Sequence, residues 1–325
     1  MKKICVIGNG IHATKNIIPS LKEINVVISA IASEYLKDDI INNEVKNYSD
    51  YRDMLLNEKP QIILLCKSAE KQFEIAKYCL NFGIEKLFVE KPMGMNVKEA
   101  QELENLAKQN NCKIMTGFMK RYSPCYQKVK EIINKPEFGK VKQFNAEFYL
   151  TSGRDGWNDE IFFKKGGIHF VNILLWLFGS IDDVKTYSNS VDNNVSITSL
   201  IKFKNGVIGN INFIGLNSWK GKRERITITG ENGYVYNEGV REVHYHLDQH
   251  ITTSNRWQTI DEEENIIKPY LTSASGGLQD LYLHGYIGEL LDFLNNDDYD
   301  SENVDTMKLI DMILKTETNE EKNNL

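Results

Sequence analysis

Apolar positions in the first 120 residues fall into short runs separated by longer amphipathic stretches. The runs Ile4 to Ile7, Val26 to Ile31, Ile62 to Leu65, Leu87 to Val89 and Ile114 to Met115 predict strands. Ala69 to Asn81 and Val97 to Gln109 carry apolar residues at helical spacing. Ser49 or Asp50 can cap a short helix through Leu56, and Asn96 the helix that follows Gly94. Such alternation predicts a doubly wound parallel sheet with right-handed crossovers.

After Arg121 the pattern changes. Pro124 to Ile133 and the strongly apolar His169 to Leu177 predict helices. Val141 to Leu150, Val184 to Ser190, Val195 to Phe203, Val207 to Ile214 and Arg225 to Ile228 predict strands, with Asn205-Gly206 as a primed-turn hairpin between two of them. Short turns between successive strands predict an antiparallel sheet with helices on one face, which the family resemblance given below implies is open-faced and mostly antiparallel. Helical patterns return at Asp280 to Leu294 and Val304 to Lys315, before a polar tail from Thr316. The expected division is a domain over 1–120 and a second over 121–325, which suits a chain of 325 residues.

Composition narrows the partners. With 41% hydrophobic and 26% charged residues the chain is an ordinary globular protein, and a net charge of -6 supplies no general field for nucleic acid. No stretch approaches the roughly 20 continuous apolar residues of a membrane span. Gly8 and Gly10 break the first apolar run before a signal-peptide core can develop, so the cytoplasm is the expected compartment. Cys5, Cys66, Cys79, Cys112 and Cys125 are scattered and form no CxxC pair; they read as free structural thiols, with no metal site.

Chemistry concentrates at the strand ends. The first strand runs into Gly8-Asn9-Gly10-Ile11-His12-Ala13, a GxGxxA pattern opening into a helix. The first glycine permits the turn, the second lets backbone approach a pyrophosphate, and the small third residue allows close helix packing. Ser33, with Glu34 beside it, ends the second strand where a carboxylate would hold the ribose 2′-hydroxyl of NAD. A serine with a nearby arginine would instead suit the phosphate of NADP; the chain offers the serine without the arginine, and the cofactor stays NAD or NADP. Val89-Glu90-Lys91-Pro92 ends another strand at the same sheet edge, where a lysine can move a proton if its pKa is lowered.

GNGIHA at 8–13, FVEKPMGMNVKEAQELENLA at 88–107, MTGFMKRYSP at 115–124, GGIHFVNILLWLFG at 166–179 and the later NGVIGNINFIG together resemble the Gfo/Idh/MocA oxidoreductase family over nearly the whole chain. The resemblance implies an N-terminal Rossmann domain and hydride exchange between NAD(P) and a carbinol or keto carbon of a sugar, cyclitol or sugar nucleotide. Lys91 matches the family lysine that contacts cofactor and substrate, and His169 the histidine beside the reacting hydroxyl. Backbone of Cys66, Lys67 and Ser68 would border the nicotinamide ribose; the Lys67 side chain meets phosphate or, the preferred reading, is solvated. Gln72 stands where the family often has a histidine. Arg121 and Tyr122 match substrate-cleft positions, though Arg121 can equally tie the two domains together. Trp157, after Arg154-Asp155-Gly156, can stack on a sugar or anchor its loop.

Two departures affect the reaction. Lys165, or a deletion, stands where the family commonly has an aspartate four residues before the histidine, and Asn172 replaces a frequent aspartate three residues after it. A Lys165 ammonium would lower the pKa of Lys91 or His169, and the proton transfer falls to Lys91 with His169 positioning. Three functions are therefore carried: a sugar oxidoreductase, a non-catalytic sugar sensor, and a glycosidase using transient oxidation. The sheet is expected to bury an apolar face in a homodimer or homotetramer. Other clusters carry less. His244, His246, Asp248 and His250 read as an exposed strand, Lys220 to Arg225 as a solvated edge strand, and Asp297, Asp298 and Asp300 as linker.

Overall fold

The computed structural model describes residues 2–34, 45–151, 157–216, 221–247, 263–270, 277–297 and 302–315. The chain divides into two compact units, one of residues 1–122 with 280–308 and the other of 123–279 with 309–325.

The first unit is built on a six-stranded sheet. Its elements are β1 (Ile4–Ile7), a π turn (Ala13–Ile17) running into α1 (Ile18–Glu23), β2 (Ile28–Ala32), β3 (Lys46–Tyr48) and α2 (Tyr51–Glu58). They continue with β4 (Ile62–Leu65), α3 (Ala69–Phe82), β5 (Lys86–Val89), α4 (Val97–Gln109) and β6 (Lys113–Thr116). Strand order is β3-β2-β1-β4-β5-β6, every pair parallel. Strands β1, β4 and β5 are buried along their whole length, as a sheet covered on both faces requires. Asp50 caps α2 by accepting from the Arg52 N–H. Asn96 and Glu99 cap α4 reciprocally: Asn96 accepts from the Glu99 N–H, and Glu99 from the Met95 N–H.

The second unit begins with α5 (Pro124–Ile133) and β7 (Val141–Thr151). A continuous helical run then comprises α6 (Asp159–Phe162), a π turn (Phe163–Gly167) and α7 (Ile168–Phe178). There follow β8 (Ile181–Ser188), β9 (Val195–Phe203), β10 (Ile208–Leu216), β11 (Arg223–Gly230), β12 (Gly233–Glu238), β13 (Glu242–Leu247) and β14 (Asn265–Ile267). The strands order as β14-β13-β12-β11-β7-β10-β9-β8 and are antiparallel except for β10 beside β7. Phe144, Phe148, Phe203 and Phe213 point inward and pack on Phe162, Phe163, Phe170 and Phe178 of the helical run. The run 159–178 is long and apolar enough to cross a membrane by length and composition, but 72% of its apolar 18-residue window is buried inside the protein. The expected apolar stretch was shorter because it began at His169.

Several expectations are corrected. The segment 280–308 belongs with the first unit rather than the second. After α8 (Leu278–Leu283), Gly285 at φ 95° breaks the expected single helix, and α9 (Tyr286–Asn295) packs Leu290 and Phe293 into the core around β1, α1 and Phe88. The last helix, α10, spans Asn303–Leu314. Arg223 and Arg225 lie on a central strand, not an edge, and pair with Glu147 and Glu238. The Asn205-Gly206 hairpin is not of the primed kind, since only Gly206 has positive φ. The Gly206 N–H donates to the Phe203 carbonyl and the Phe203 N–H to the Val207 carbonyl, a three-residue loop with glycine at its left-handed position. The outward face of the large sheet is also not broadly apolar. One row across it reads Lys185, Leu200, Asn210, Asn145, Thr227, Tyr236, His244, Ile266.

All five cysteines are unpaired and buried, and burial pushes the Cys5, Cys79, Cys112 and Cys125 thiols up to about 12.

Candidate active site

In the first unit the chemistry-bearing residues gather at the carboxyl edge of the parallel sheet, where β1 and β4 mark the reversal of strand order. Gly8 follows β1 at φ 108°, and a Cβ there would stand 2.2 Å from the Cys66 carbonyl oxygen, so only glycine allows the two strand ends to approach. Gly10 faces open space, with nothing within 4 Å of a Cβ position, and Ile11 beside it is exposed. Helical structure starts at residue 11 and leaves the loop backbone uncovered at the head of a 13-residue helical run. This is the cradle a pyrophosphate needs, so the residues fit a dinucleotide. Ala13 is fully buried in the core, as the close-packing role requires.

Asn9 and His12 of the loop are held by hydrogen bonds. Ser33 Oγ donates to Asn9 Oδ1 at 2.5 Å, tying the loop to the end of β2. His12 Nε2 lies 2.8 Å from Glu90 Oε1 and its Nδ1 3.0 Å from Asn16 Nδ2. An amide nitrogen can only donate, so Nδ1 accepts and Nε2 carries the proton toward the carboxylate. Gly117 permits this arrangement, since its Cβ would stand 3.2 Å from Glu90 Oε2. Lys91 is half-buried and precedes the buried Pro92, whose carbonyl accepts from Gln72 Nε2 at 3.1 Å. Gln72, expected to be a polar contact at most, therefore fixes the backbone beside Lys91.

A pocket of about 160 Å³ lies at the ends of β2, β3 and β4 and is lined by Ser33, Glu34, Asp50, Arg52 and Lys67 among others. Glu34 does not stand alone in it. Its carboxylate accepts from Lys71 Nζ at 3.3 Å and lies 3.8 Å from Lys67 Nζ, and both hold it below the usual carboxylate range. Lys67, expected to be solvated, has a side chain only 16% exposed. Arg52 is the arginine that sequence reading did not find near Ser33. Nineteen residues separate the two, and only the crossover through β3 brings them to one pocket.

Arg121 and Tyr122, read as substrate contacts, are engaged with the returning segment of their own unit. Arg121 Nη2 donates to Glu302 at 2.9 Å, and the Tyr122 hydroxyl to Asp292 at 2.6 Å, while burial first and that bond second push the Tyr122 phenol up. In the second unit, His169 and Asn172 are buried on α7, Lys165 is exposed on the preceding π turn, and no carboxylate occurs along α7. Trp157 is half-buried, its ring meeting Phe162 edge-on at 6.4 Å, which is the anchoring arrangement; Arg154, Asp155 and Gly156 lie outside the described residues. His244 sits between Glu242 and Glu264 and stacks on Tyr236, while Asp248 and His250 lie outside the described residues.

Residues 2–118 match the family model described as the oxidoreductase family with NAD-binding Rossmann fold, and residues 126–236 match the GFO/IDH/MocA C-terminal domain. The chain belongs to the Gfo/Idh/MocA family. Among its curated Gfo/Idh/MocA-like relatives is an inositol 2-dehydrogenase of Salmonella typhimurium, 28% identical over 145 residues. That match covers 44% of this chain and 42% of the relative, less than half of either. A dehydrogenase of Chromobacterium violaceum has a similar fold, with a TM-score of 0.82 at 16% identity over 97% of this chain and 94% of that one. The WlbA dehydrogenase of the same organism, in complex with NADH and UDP-GlcNAcA, gives a TM-score of 0.73 at 18% identity, covering 96% of this chain and 92% of its own.

Proposed function

We propose that the chain is an NAD(P)-dependent oxidoreductase acting on a hydroxyl-bearing or keto carbon of a sugar, cyclitol or nucleotide-linked sugar. One observation carries the reading: a glycine loop shaped for a pyrophosphate and the Glu90-Lys91 turn stand at the same sheet edge, joined through His12. When bound, a nicotinamide cofactor supplies the two-electron exchange that interconverts a carbinol and a ketone. The protein's part is to hold the substrate and move the hydroxyl proton. Lys91, half-buried and backed by Gln72, takes that proton, and His169 positions the hydroxyl. The inositol 2-dehydrogenase relative and the nucleotide-sugar complex of the WlbA dehydrogenase support the substrate class. Self-association through a smaller apolar patch, the exposed Tyr187, Leu200 and Ile208 on β8, β9 and β10, belongs to the same proposal.

The test is titration of the purified protein with NADH and NADPH by nicotinamide fluorescence, then turnover against a panel of cyclitols, sugars and nucleotide sugars. Binding with cofactor-coupled turnover of one of these classes is the expected result; failure to bind either dinucleotide defeats the proposal. Binding without turnover across the panel favours a sugar sensor, a reading supported by the exposed Lys165 and buried Asn172 where the resemblance expects acids.

A further inference from the structure

The glycine loop carries a reaction of its own. Resting on the dinucleotide reading above, we propose that Asn9-Gly10 is a self-modification site: in the cofactor-free protein the Gly10 nitrogen closes on the Asn9 side chain with loss of ammonia, and a bound dinucleotide blocks the step.

Asparagine followed by glycine is the pair best suited to this cyclisation, because no Cβ crowds the attacking nitrogen. The chain holds three such pairs, Asn9-Gly10, Asn205-Gly206 and Asn232-Gly233. What holds each pair separates them. Asn205 has both ends of its amide engaged, Oδ1 accepting from the Val207 N–H at 3.1 Å and Nδ2 donating to the Phe178 carbonyl at 2.9 Å. The Gly206 N–H is bonded in turn to the Phe203 carbonyl. Gly233 opens β12 with its backbone against β13, where a Cβ would stand 2.2 Å from the His246 carbonyl oxygen. Gly10 is different. A Cβ there meets nothing within 4 Å, and its N–H, at the head of the helical run, donates to no protein acceptor among the described residues. The Ser33 hydroxyl donates to Asn9 Oδ1 at 2.5 Å, so a donor is already aimed at the oxygen on which negative charge develops as the nitrogen attacks.

In the step, the Gly10 nitrogen bonds to Asn9 Cγ, the Cγ–Nδ2 bond breaks, and the amide proton leaves with Nδ2 as ammonia. Solvent water then opens the cyclic imide at either carbonyl, giving aspartate or isoaspartate. Either product places a carboxylate in the loop shaped for a pyrophosphate, so modification should cost dinucleotide affinity. A bound pyrophosphate would accept from the Gly10 N–H and so withdraw the attacking nitrogen.

The test incubates the full chain in mildly alkaline buffer, with and without whichever of NADH and NADPH binds more tightly. Mass spectrometry follows the peptides carrying residues 9, 205 and 232. Residue 9 should deamidate fastest, and dinucleotide at about ten times its dissociation constant should slow it about tenfold, in proportion to the protein left unliganded. Gly10→Ala should also slow it, since the added Cβ crowds the nitrogen yet meets no neighbour. Asn9→Asp, made directly, should weaken dinucleotide binding about tenfold, with thermal unfolding checking that the fold is kept. Residue 9 staying intact while Asn205 or Asn232 deamidates overturns the proposal, as does a dinucleotide that binds without slowing residue 9. Failure of both dinucleotides to bind the fresh protein removes the dinucleotide reading and the protection with it, whereas the ranking of the three pairs still decides the chemistry.

Discussion

His12 Nε2 donates to Glu90 Oε1 across 2.8 Å, joining the glycine loop after β1 to the Glu90-Lys91-Pro92 turn after β5. The bond spans the strand-order reversal and sets the carboxylate of a buried residue against an imidazole whose other nitrogen is held by Asn16. The arrangement couples the glycine loop to the segment that carries Lys91.

Removing the imidazole should leave the buried Glu90 carboxylate without this partner. Hydrogen bonds to charged groups contribute about 1.5–3 kcal/mol, so His12→Ala should lower the urea unfolding free energy of the protein by about 2 kcal/mol. A double-mutant cycle with Glu90→Gln should show a coupling of about 1 kcal/mol or more. Simple additivity of the two substitutions would show that the contact contributes nothing.

A second carboxyl in this unit behaves differently. Glu289 on α9 is fully buried; burial, and after it the charge of Glu90, raise its pKa well above the usual carboxylate range, with Arg121 pulling the other way. One of its oxygens, Oε1, has no hydrogen-bond partner. A raised folded-state pKa means the native protein keeps a proton that the unfolded chain gives up above about pH 4.3. The associated stability is present below that pH and falls as pH rises toward the folded value, by at most about 1.4 kcal/mol per unit. Glu289→Gln removes the titration. Relative to the variant, the unaltered protein should lose at least about 1 kcal/mol between about pH 5 and about pH 8. Parallel stability profiles for the two proteins would refute this.

What the sequence could and could not reveal follows from the kind of constraint each element carries. Strands β1 and β4 were legible to the residue because a sheet covered on both faces demands continuous apolar runs. The three-residue edge strand Lys46–Tyr48 was not, since an edge with a polar sequence leaves no such mark. The Asp280 to Leu294 pattern announced a buried face but not what would bury it, and so its return to the first unit went unread. Likewise, Gly8 and Lys91 sit in contiguous motifs, whereas Arg52 meets Ser33 only through the chain's path.

That return is fastened by Lys86. Its ammonium, 5% exposed, donates to the carbonyls of Phe293, Leu294 and Asn296 at 2.8–3.3 Å and pairs with Asp297 at 2.9 Å. A cation here satisfies carbonyls left open by the end of α9 and opposes the negative end of the helix dipole. Lys86→Met keeps the aliphatic stem and removes the donors, so it should cost about 2 kcal/mol or more of stability. Hydrogen exchange should localise the loss to residues 286–297. An unchanged urea midpoint would mean that solvent satisfies these carbonyls equally well.

Gln72 and Lys91 provide the sharpest separation between holding and reacting, on the oxidoreductase reading. The Gln72 amide is fully buried and reaches the Pro92 carbonyl, one residue beyond Lys91, so it acts on the reaction through backbone placement alone. Gln72→Leu keeps the volume but frees that backbone. It should lower kcat about tenfold while leaving dinucleotide affinity within about twofold, because small misplacements of a reacting group are costly. Gln72→Glu cannot donate from its carboxylate and should share the defect, whereas Gln72→Asn tests reach. Lys91→Ala removes the proton carrier itself, and kcat should fall by about a hundredfold or more, the range expected for general acid–base groups. His169→Asn should raise KM for the substrate more than it lowers kcat if the imidazole positions the hydroxyl. Full turnover by Lys91→Ala, with the burden falling instead on His169, would reverse the two roles.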